Sequence, residues 1–433
     1  MRRLAFILAA SGLLCPLALF AQNLDWKAAA SYTKNPAKEA LSTRLTDYVK
    51  QDTNTANNQL KFAKNLVKEL RSYGWTATQE KNGLVWLTIP ANVKANVPEV
   101  LFVARTDDPA THVTPQLHKN YKGGEVTIQQ DPHIALDTYN SPQLTRAYGH
   151  DLMTASGKSA LGSGAKNGAA IVMQIAQFLD KYPALSHGPV TLAFAPSEET
   201  LKTLAAKKAN IPYVYTFEGT GKGEITNQTF TIKRFTISFD GNRQIPVGQA
   251  NNSAFTDNLL IASDFHSLLP RANRPETTSG ERGFIYVDKI AHQADHTNIS
   301  GLIQAFSDEE TNLLSAEVTR AFNTAKSMHN KATNFSLTWK EEQKNIQAAL
   351  PQPPLLLAEQ AMRTEEITPK RTAARTQTTS TFLTANGLPA YALFTGHYND
   401  HTDREYADID EMEDALRTAI QLLSSLTVHE MSK

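Results

Sequence analysis

The sequence predicts an α/β protein in which a mostly parallel sheet carries helices on both faces and an inserted α+β region interrupts the chain. Three observations carry this. Residues 100–104, 189–195 and 213–217 are short apolar runs, the pattern of strands buried on both faces. Residues 168–179 put Ile171, Val172, Ile175, Phe178 and Leu179 on one side of a helix, and strands alternating with helices imply parallel pairing. Over residues 229–340 the texture changes to alternating strands and separate helices.

Taken in order, the chain opens with Arg2 and Arg3 before an apolar run over residues 4–20, followed by polar Gln22, Asn23 and Asp25. This predicts a secretory signal peptide over residues 1–21, cut after Ala21. The run is short for a membrane span. The expected location is periplasmic or secreted, with no membrane attachment after cleavage. Cys15 is the only cysteine and leaves with the leader, so no disulfide is expected. Loss of Arg2 and Arg3 leaves a net charge of −2, which argues against nucleic acid or an anionic membrane as partner.

Asn35 and Pro36 open a helix with Leu41, Leu45, Tyr48 and Val49 on one face. A second follows with Phe62, Leu66, Leu70 and Tyr73 inward and Gly74 at its end. Strands are expected at 84–90 and 100–104, then the helix at 168–179 and strands at 189–195 and 213–217. The inserted region has an alternating strand (Phe230, Ile232, Phe235, Ile237), helices at 258–269 and 307–327, and a strand near 335–339. The sheet resumes at 391–395. A last helix, capped by Asp408 and Glu411, turns Met412, Leu416, Ile420, Leu423 and Leu426 inward.

In open α/β sheets ligands collect at the carboxyl ends of strands. Here those positions are polar: Arg105, Asp107 and Asp108; Glu198 and Glu199; Glu218; and His397, Asp400, His401 and Asp403. Carboxylates and histidine converging from four strand ends make a donor set for a divalent cation. In an adjacent glutamate pair one member can hold metal while the other takes a proton from water. The same residues are also what solvated strand-end loops contain.

Several motifs occur in a fixed order: Ile89-Pro90-Ala91-Asn92-Val93, Asn120-Tyr121-Lys122-Gly123-Gly124, residues 157–162 (GKSALG), Phe194-Ala195-Pro196-Ser197-Glu198-Glu199, and residues 394–401 (FTGHYNDH). In this respect the mature chain resembles the tripeptide aminopeptidases of the peptidase T group, di-zinc exopeptidases. The resemblance implies two zinc ions sharing a bridging aspartate. It implies a general base at Glu198, zinc ligands at Glu199, Glu218 and His401, and a supporting aspartate at Asp107. It also implies that Arg375 receives the peptide carboxylate. Residues 22–228 and 341–433 would then form the discontinuous catalytic-type domain, and 229–340 a lid or dimer contact, so that short peptides and a homodimer are the expected partners.

The departures bear on chemistry. Where the family has a metal-binding histidine this chain has Arg105, and where it has the bridging aspartate this chain has Gly164. Its lid motif aligns with residues 241–247, with Ile245 in place of histidine. One ion would keep only Glu218 and the other Glu199 and His401, whereas zinc enzymes use about three protein ligands. A cation at Arg105 also repels a metal, by about 4 kcal/mol per unit charge at contact and an effective dielectric of 20. The expectation is a peptidase T-like protein without a di-zinc centre, holding no zinc or at most one, with Arg105 pairing instead with Glu218 or Glu199. The alternative is an active exopeptidase with a single zinc on Glu199, Glu218 and His401. His397 is read as a surface loop histidine.

Overall fold

The computed structural model describes residues 36–241, 257–293, 296–329 and 332–433. The expected leader at 1–21, and all of the lid motif but Gly241, lie outside them.

The chain begins with α1 (Lys38–Val49), α2 (Ala56–Ser72), β1 (Thr78–Gln79), β2 (Val85–Ile89) and β3 (Val100–Arg105). Four short strands follow, β4 (Gln116–His118), β5 (Val126–Gln129), β6 (Ile134–Leu136) and β7 (Leu152–Thr154). Then come α3 (Ser163–Lys181), β8 (Val190–Ala195), α4 (Glu198–Lys208), β9 (Tyr213–Gly219) and β10 (Glu224–Thr229). Next are β11 (Thr231–Asp240), α5 (Asn258–Leu268), β12 (Phe284–Gln293), β13 (His296–Ala305), α6 (Asp308–Met328) and β14 (Thr333–Gln343). The chain ends with α7 (Gln352–Thr364), β15 (Lys370–Ala374), α8 (Thr379–Ala385), β16 (Tyr391–Phe394), β17 (His397–Tyr398), β18 (Tyr406–Asp408) and α9 (Ile409–Met431).

Two compact units result. One comprises Met1–Ile225, Pro351–Lys370 and Tyr391–Lys433, the other Thr226–Leu350 and Arg371–Ala390. Residues 371–390, which the sequence groups with the sheet, therefore join the second unit. The reason is a set of contacts remote in the chain: Arg375 in this segment bonds to Thr278, Gly280 and Arg282.

In the first unit the sheet runs β1-β2-β8-β3-β9-β16 and continues into β10 and β15, where the chain passes between the units. β8, β3, β9 and β16 are parallel, and β2 runs antiparallel to β8. β8 and β16 are buried at every position, and β3 and β9 up to their carboxyl ends, so helices cover both faces. The inward helical residues are those the spacing selects, including Leu41, Leu45, Phe62, Leu66 and Leu70. Among them lies α3, which packs on β3 and β9. Gly168 makes this approach close: a Cβ there would stand 2.2 Å from the Phe217 carbonyl oxygen.

A second, antiparallel sheet of order β17-β18-β7-β4 lies in the same unit. It was not foreseen from the sequence, because strands of two or three residues show no periodicity. In the second unit an antiparallel sheet of order β12-β13-β11-β14 turns Phe235, Ile237 and Phe239 into a core with α5 and α6, while Arg234, Thr236 and Ser238 take the other face.

Asp408 caps α9, its Oδ1 accepting from the N–H groups of Asp410 and Glu411 at 3.0 and 3.1 Å. Glu411 does not act as a cap. Its carboxylate is buried and accepts from the Tyr398 hydroxyl and the Lys222 N–H.

Gly168→Ala is expected to lower stability by about 2–3 kcal/mol, because the added carbon meets strand backbone that cannot rotate away. Urea denaturation of parent and variant measures the difference.

Candidate functional site

Parallel pairing brings the carboxyl ends of β3, β8, β9 and β16 to one edge, with Arg105 in register with Ala195. At that edge and just beyond it lie Glu218 at the end of β9, Glu198 and Glu199 in the first turn of α4, His397 on β17, and the loop residues Asp107, Asp108, Asp400 and His401, all within the first unit. What distinguishes the cleft is the partner of each charge.

Arg105 lies at the end of β3 with its guanidinium on Asp107: Nε donates to Oδ1 at 2.7 Å, and Nη2 donates to Oδ2. The partner expected from the sequence, Glu218 or Glu199, is thereby corrected. A carboxylate two residues along the same loop closes a fork-to-fork pair without a long reach. Burial by itself lowers the guanidinium's pKa, but the Asp107 bond and the negative fields of Asp107, Glu218 and Glu198 leave it raised. Arg105 is a permanent cation, and Asp107 is committed to it.

Glu218, Asp108 and Glu405 are also met by protein donors. Glu218 accepts from the Thr216 hydroxyl at 2.7 Å. Asp108 is buried and accepts from the Ala110 N–H at 2.8 Å; burial pushes its carboxyl up. Glu405 takes the first turn of α3. Its oxygens accept from the N–H groups of Gly162, Ser163 and Gly164 and from the Ser163 hydroxyl at 2.6 Å. Asp400 lies 3.5 Å from Nε2 of His401. Glu198 and Glu199 are exposed in the first turn of α4, behind the Ser197 cap.

His397 is not the surface histidine read from the sequence. It sits on β17, buried, with Nδ1 2.9 Å from the Thr395 hydroxyl, and burial lowers its pKa. Lys166 is buried too, its Nζ donating to the Tyr48 and Gln51 carbonyls beside α1 and lying 5.1 Å from the Phe62 ring centre. Burial lowers its pKa to about 8. Glu405 was the least legible in the sequence. Glu405 lies in a charged loop, and its only signal is a carboxylate that can reach a helix start rich in small residues.

In the second unit Arg375 donates through Nη1 to the Gly280 and Arg282 carbonyls and through Nη2 to the Thr278 hydroxyl. Its guanidinium lies 5.3 and 5.4 Å from the Phe230 and Phe284 rings.

The family model for "Peptidase family M20/M25/M40" matches residues 146–426. The chain belongs to this family. It is 30% identical over 404 residues to a protein named Peptidase T from Bacillus pumilus (strain SAFR-032), a match covering 89% of this chain and 98% of that one. A Peptidase T from Bacillus subtilis (strain 168) is 29% identical with the same coverage. Among solved structures, aminopeptidase PepT from Bacillus cereus ATCC 10987 superposes with a TM-score of 0.68 at 16% identity, covering 90% of this chain and 98% of that one. Bacillus subtilis YXEP, described as a dinuclear metal-binding peptidase from the M20 family, gives 0.61 at 14% identity, covering 90% and 98%.

Membership of the M20 family raises the question of whether the donors here fit a metal pair. Donors about 2.0–2.2 Å from one zinc stand within roughly 4.5 Å of one another. Glu199, Glu218 and His401 do not form such a group. Among the described residues the one set of three whose donor atoms lie within 4.8 Å of one another is His150, Asp408 and Asp410. That set is already engaged. His150 Nδ1 is 2.7 Å from Asp408 Oδ2, and Asp410 accepts from Lys38 Nζ at 2.8 Å and from the Asp151 N–H at 2.7 Å. It fastens α1, β7 and α9 together, and the residues present do not fit a dinuclear centre.

Beside this set, Glu411 is pushed up to about 7 by burial and by the Asp408 charge. Raised above the ordinary value of 4.5, it binds a proton in the folded state where the unfolded chain does not. Its contribution to stability is therefore complete below pH 4.5 and lost as pH rises through about 7. Relative to Glu411→Gln, the parent is expected to lose about 1–3 kcal/mol across that window. Urea denaturation at a series of pH values reads it.

Proposed function

We propose that this protein is a peptidase T-like member of the family that does not cleave peptides with a paired metal centre and instead holds short peptides. The observation that carries the reading is the Arg105–Asp107 pair: a fixed cation, bonded at 2.7 Å, stands where the resemblance calls for a neutral metal ligand. The dispersal of Glu199, Glu218 and His401 supports the same reading. Glu198 keeps the place of a general base, yet a base needs an activated water, and without a metal to lower its pKa none is supplied. Secretion belongs to the same proposal, supported by Arg2, Arg3 and the apolar run that follows them.

Protein purified without chelators is expected to carry far less than one zinc per chain and to show tripeptide turnover indistinguishable from the enzyme-free control. Zinc near one per chain, with turnover abolished by Glu199→Ala or His401→Ala, would overturn this in favour of a single-zinc exopeptidase.

For peptide binding, Arg375 is the proposed carboxylate receptor. Calorimetric titration of a tripeptide into the metal-free protein is expected to give an affinity that Arg375→Ala weakens at least about tenfold. Unchanged affinity would assign Arg375 to the packing of Phe230 and Phe284 alone.

A further inference from the structure

Gly164 lies in the first turn of α3 and has no positive φ, so its backbone does not require glycine. Glycine is a poor residue for a helix, and its presence here needs another reason. The space its side chain would take supplies one. A Cβ at position 164 would stand 2.8 and 3.0 Å from the two carboxylate oxygens of Asp400 and 3.1 Å from its Cγ. The neighbouring Gly162 is matched in the same way, its Cβ position lying 2.9 Å from Asp108 Oδ1. Two carboxylates thus rest against the helix start where two side chains are missing.

Asp400 is placed there deliberately by its loop. The residues on either side, Asn399 and His401, both adopt left-handed backbone at φ 55° and 62°, an unfavourable state for residues with a Cβ. Asn399 is held in it by donating through Nδ2 to the Ser141 hydroxyl at 2.6 Å and to the Arg404 carbonyl at 3.1 Å. Backbone strain at the two positions flanking Asp400 is kept only where the surroundings demand it. Here it delivers one carboxylate to the partial positive charge of a helix N-terminus, beside Glu405.

We infer that positions 164 and 400 have exchanged a carboxylate: Asp400 occupies the volume a side chain at 164 would fill, and so closes the cleft from within the protein. The inference rests on the non-hydrolytic reading for its functional meaning and on geometry alone for its existence. Its consequence is that the cleft cannot be returned to a metal centre one ligand at a time. An aspartate at 164 would have to displace the exposed Asp400 carboxylate and would meet it with like charge, and Arg105 would remain bonded to Asp107.

The test is a double-substitution cycle read by thermal unfolding. Gly164→Asp is expected to lower the melting temperature by at least about 3 °C, and adding Asp400→Ala to recover most of that loss. If Gly164→Asp fails to fold, Gly164→Ala serves: displacing Asp400 should offset part of alanine's gain in the helix in the parent, and the gain should be larger in the Asp400→Ala background. Equal effects in both backgrounds would overturn the exchange. Zinc content is measured on the Arg105→His/Gly164→Asp/Asp400→Ala protein against Arg105→His/Gly164→Asp. Higher zinc in the former supports closure by Asp400, and equal zinc refutes it. Parent turnover, assayed separately, bears on the proposed function and leaves the cycle unaffected.

Discussion

The first unit depends on how the negative charge gathered at one edge of its sheet is balanced. Parallel strands must all end on the same side, so acids placed after β3, β8, β9 and β16 are brought together whether or not an ion is there to receive them. Unpaired carboxylates in a partly buried cleft are costly. In this chain the balance comes from the protein itself: a guanidinium on Asp107, hydroxyls on Glu218 and Glu405, backbone N–H groups on Asp108 and Glu405, and an imidazole beside Asp400.

The helix α3 is where that balance meets the packing of the core. Its N-terminal amides donate to Glu405, its first-turn glycine leaves room for Asp400, and Gly168 lets it settle on the Phe217 carbonyl of β9. Lys166, from the next part of the same turn, reaches back to carbonyls at the end of α1. One helix therefore meets the acids of two loops, Asp108 after β3 and Asp400 and Glu405 between β17 and β18, and one end of a core helix, which ties the electrostatics of the cleft to the stability of the sheet. The network of His150, Asp408, Asp410 and Lys38 does the same at the start of α9. Glu411 joins it to the loop after β9 through Lys222 and to β17 through Tyr398.

Much of this architecture was legible beforehand. Buried runs and helical spacing located β2, β3, β8, β9 and β16 and the helices α1, α2, α3 and α9, but not β1, α4, β10, α7 or β15, and the polar residues after the buried runs marked the cleft. The second sheet was invisible because its strands are too short to carry a pattern. His397 was misread because a single histidine after a strand does not reveal whether the chain turns outward or begins another strand, as it does at β17. Arg105 was paired with the wrong acid because a sequence orders residues without saying which rotamer reaches which neighbour. The assignment of residues 371–390 shifted for a similar reason, since contacts to 278–282 are remote in the chain.

The amino-acid sequence by itself determined the fold class and the strand ends where polar residues gather, because both follow from local pattern; that Arg105 and Gly164 stand where the family has metal ligands is what the resemblance implies. Only the tertiary structure decided what replaced the lost charge. Arg105, Glu218 and Asp108 find their partners two residues along the chain, whereas the Glu405 bonds to the start of α3 and the approach of Asp400 to position 164 depend on distances between segments more than two hundred residues apart. Steric exclusion and short-range electrostatics act on those distances and leave no periodic trace in the chain.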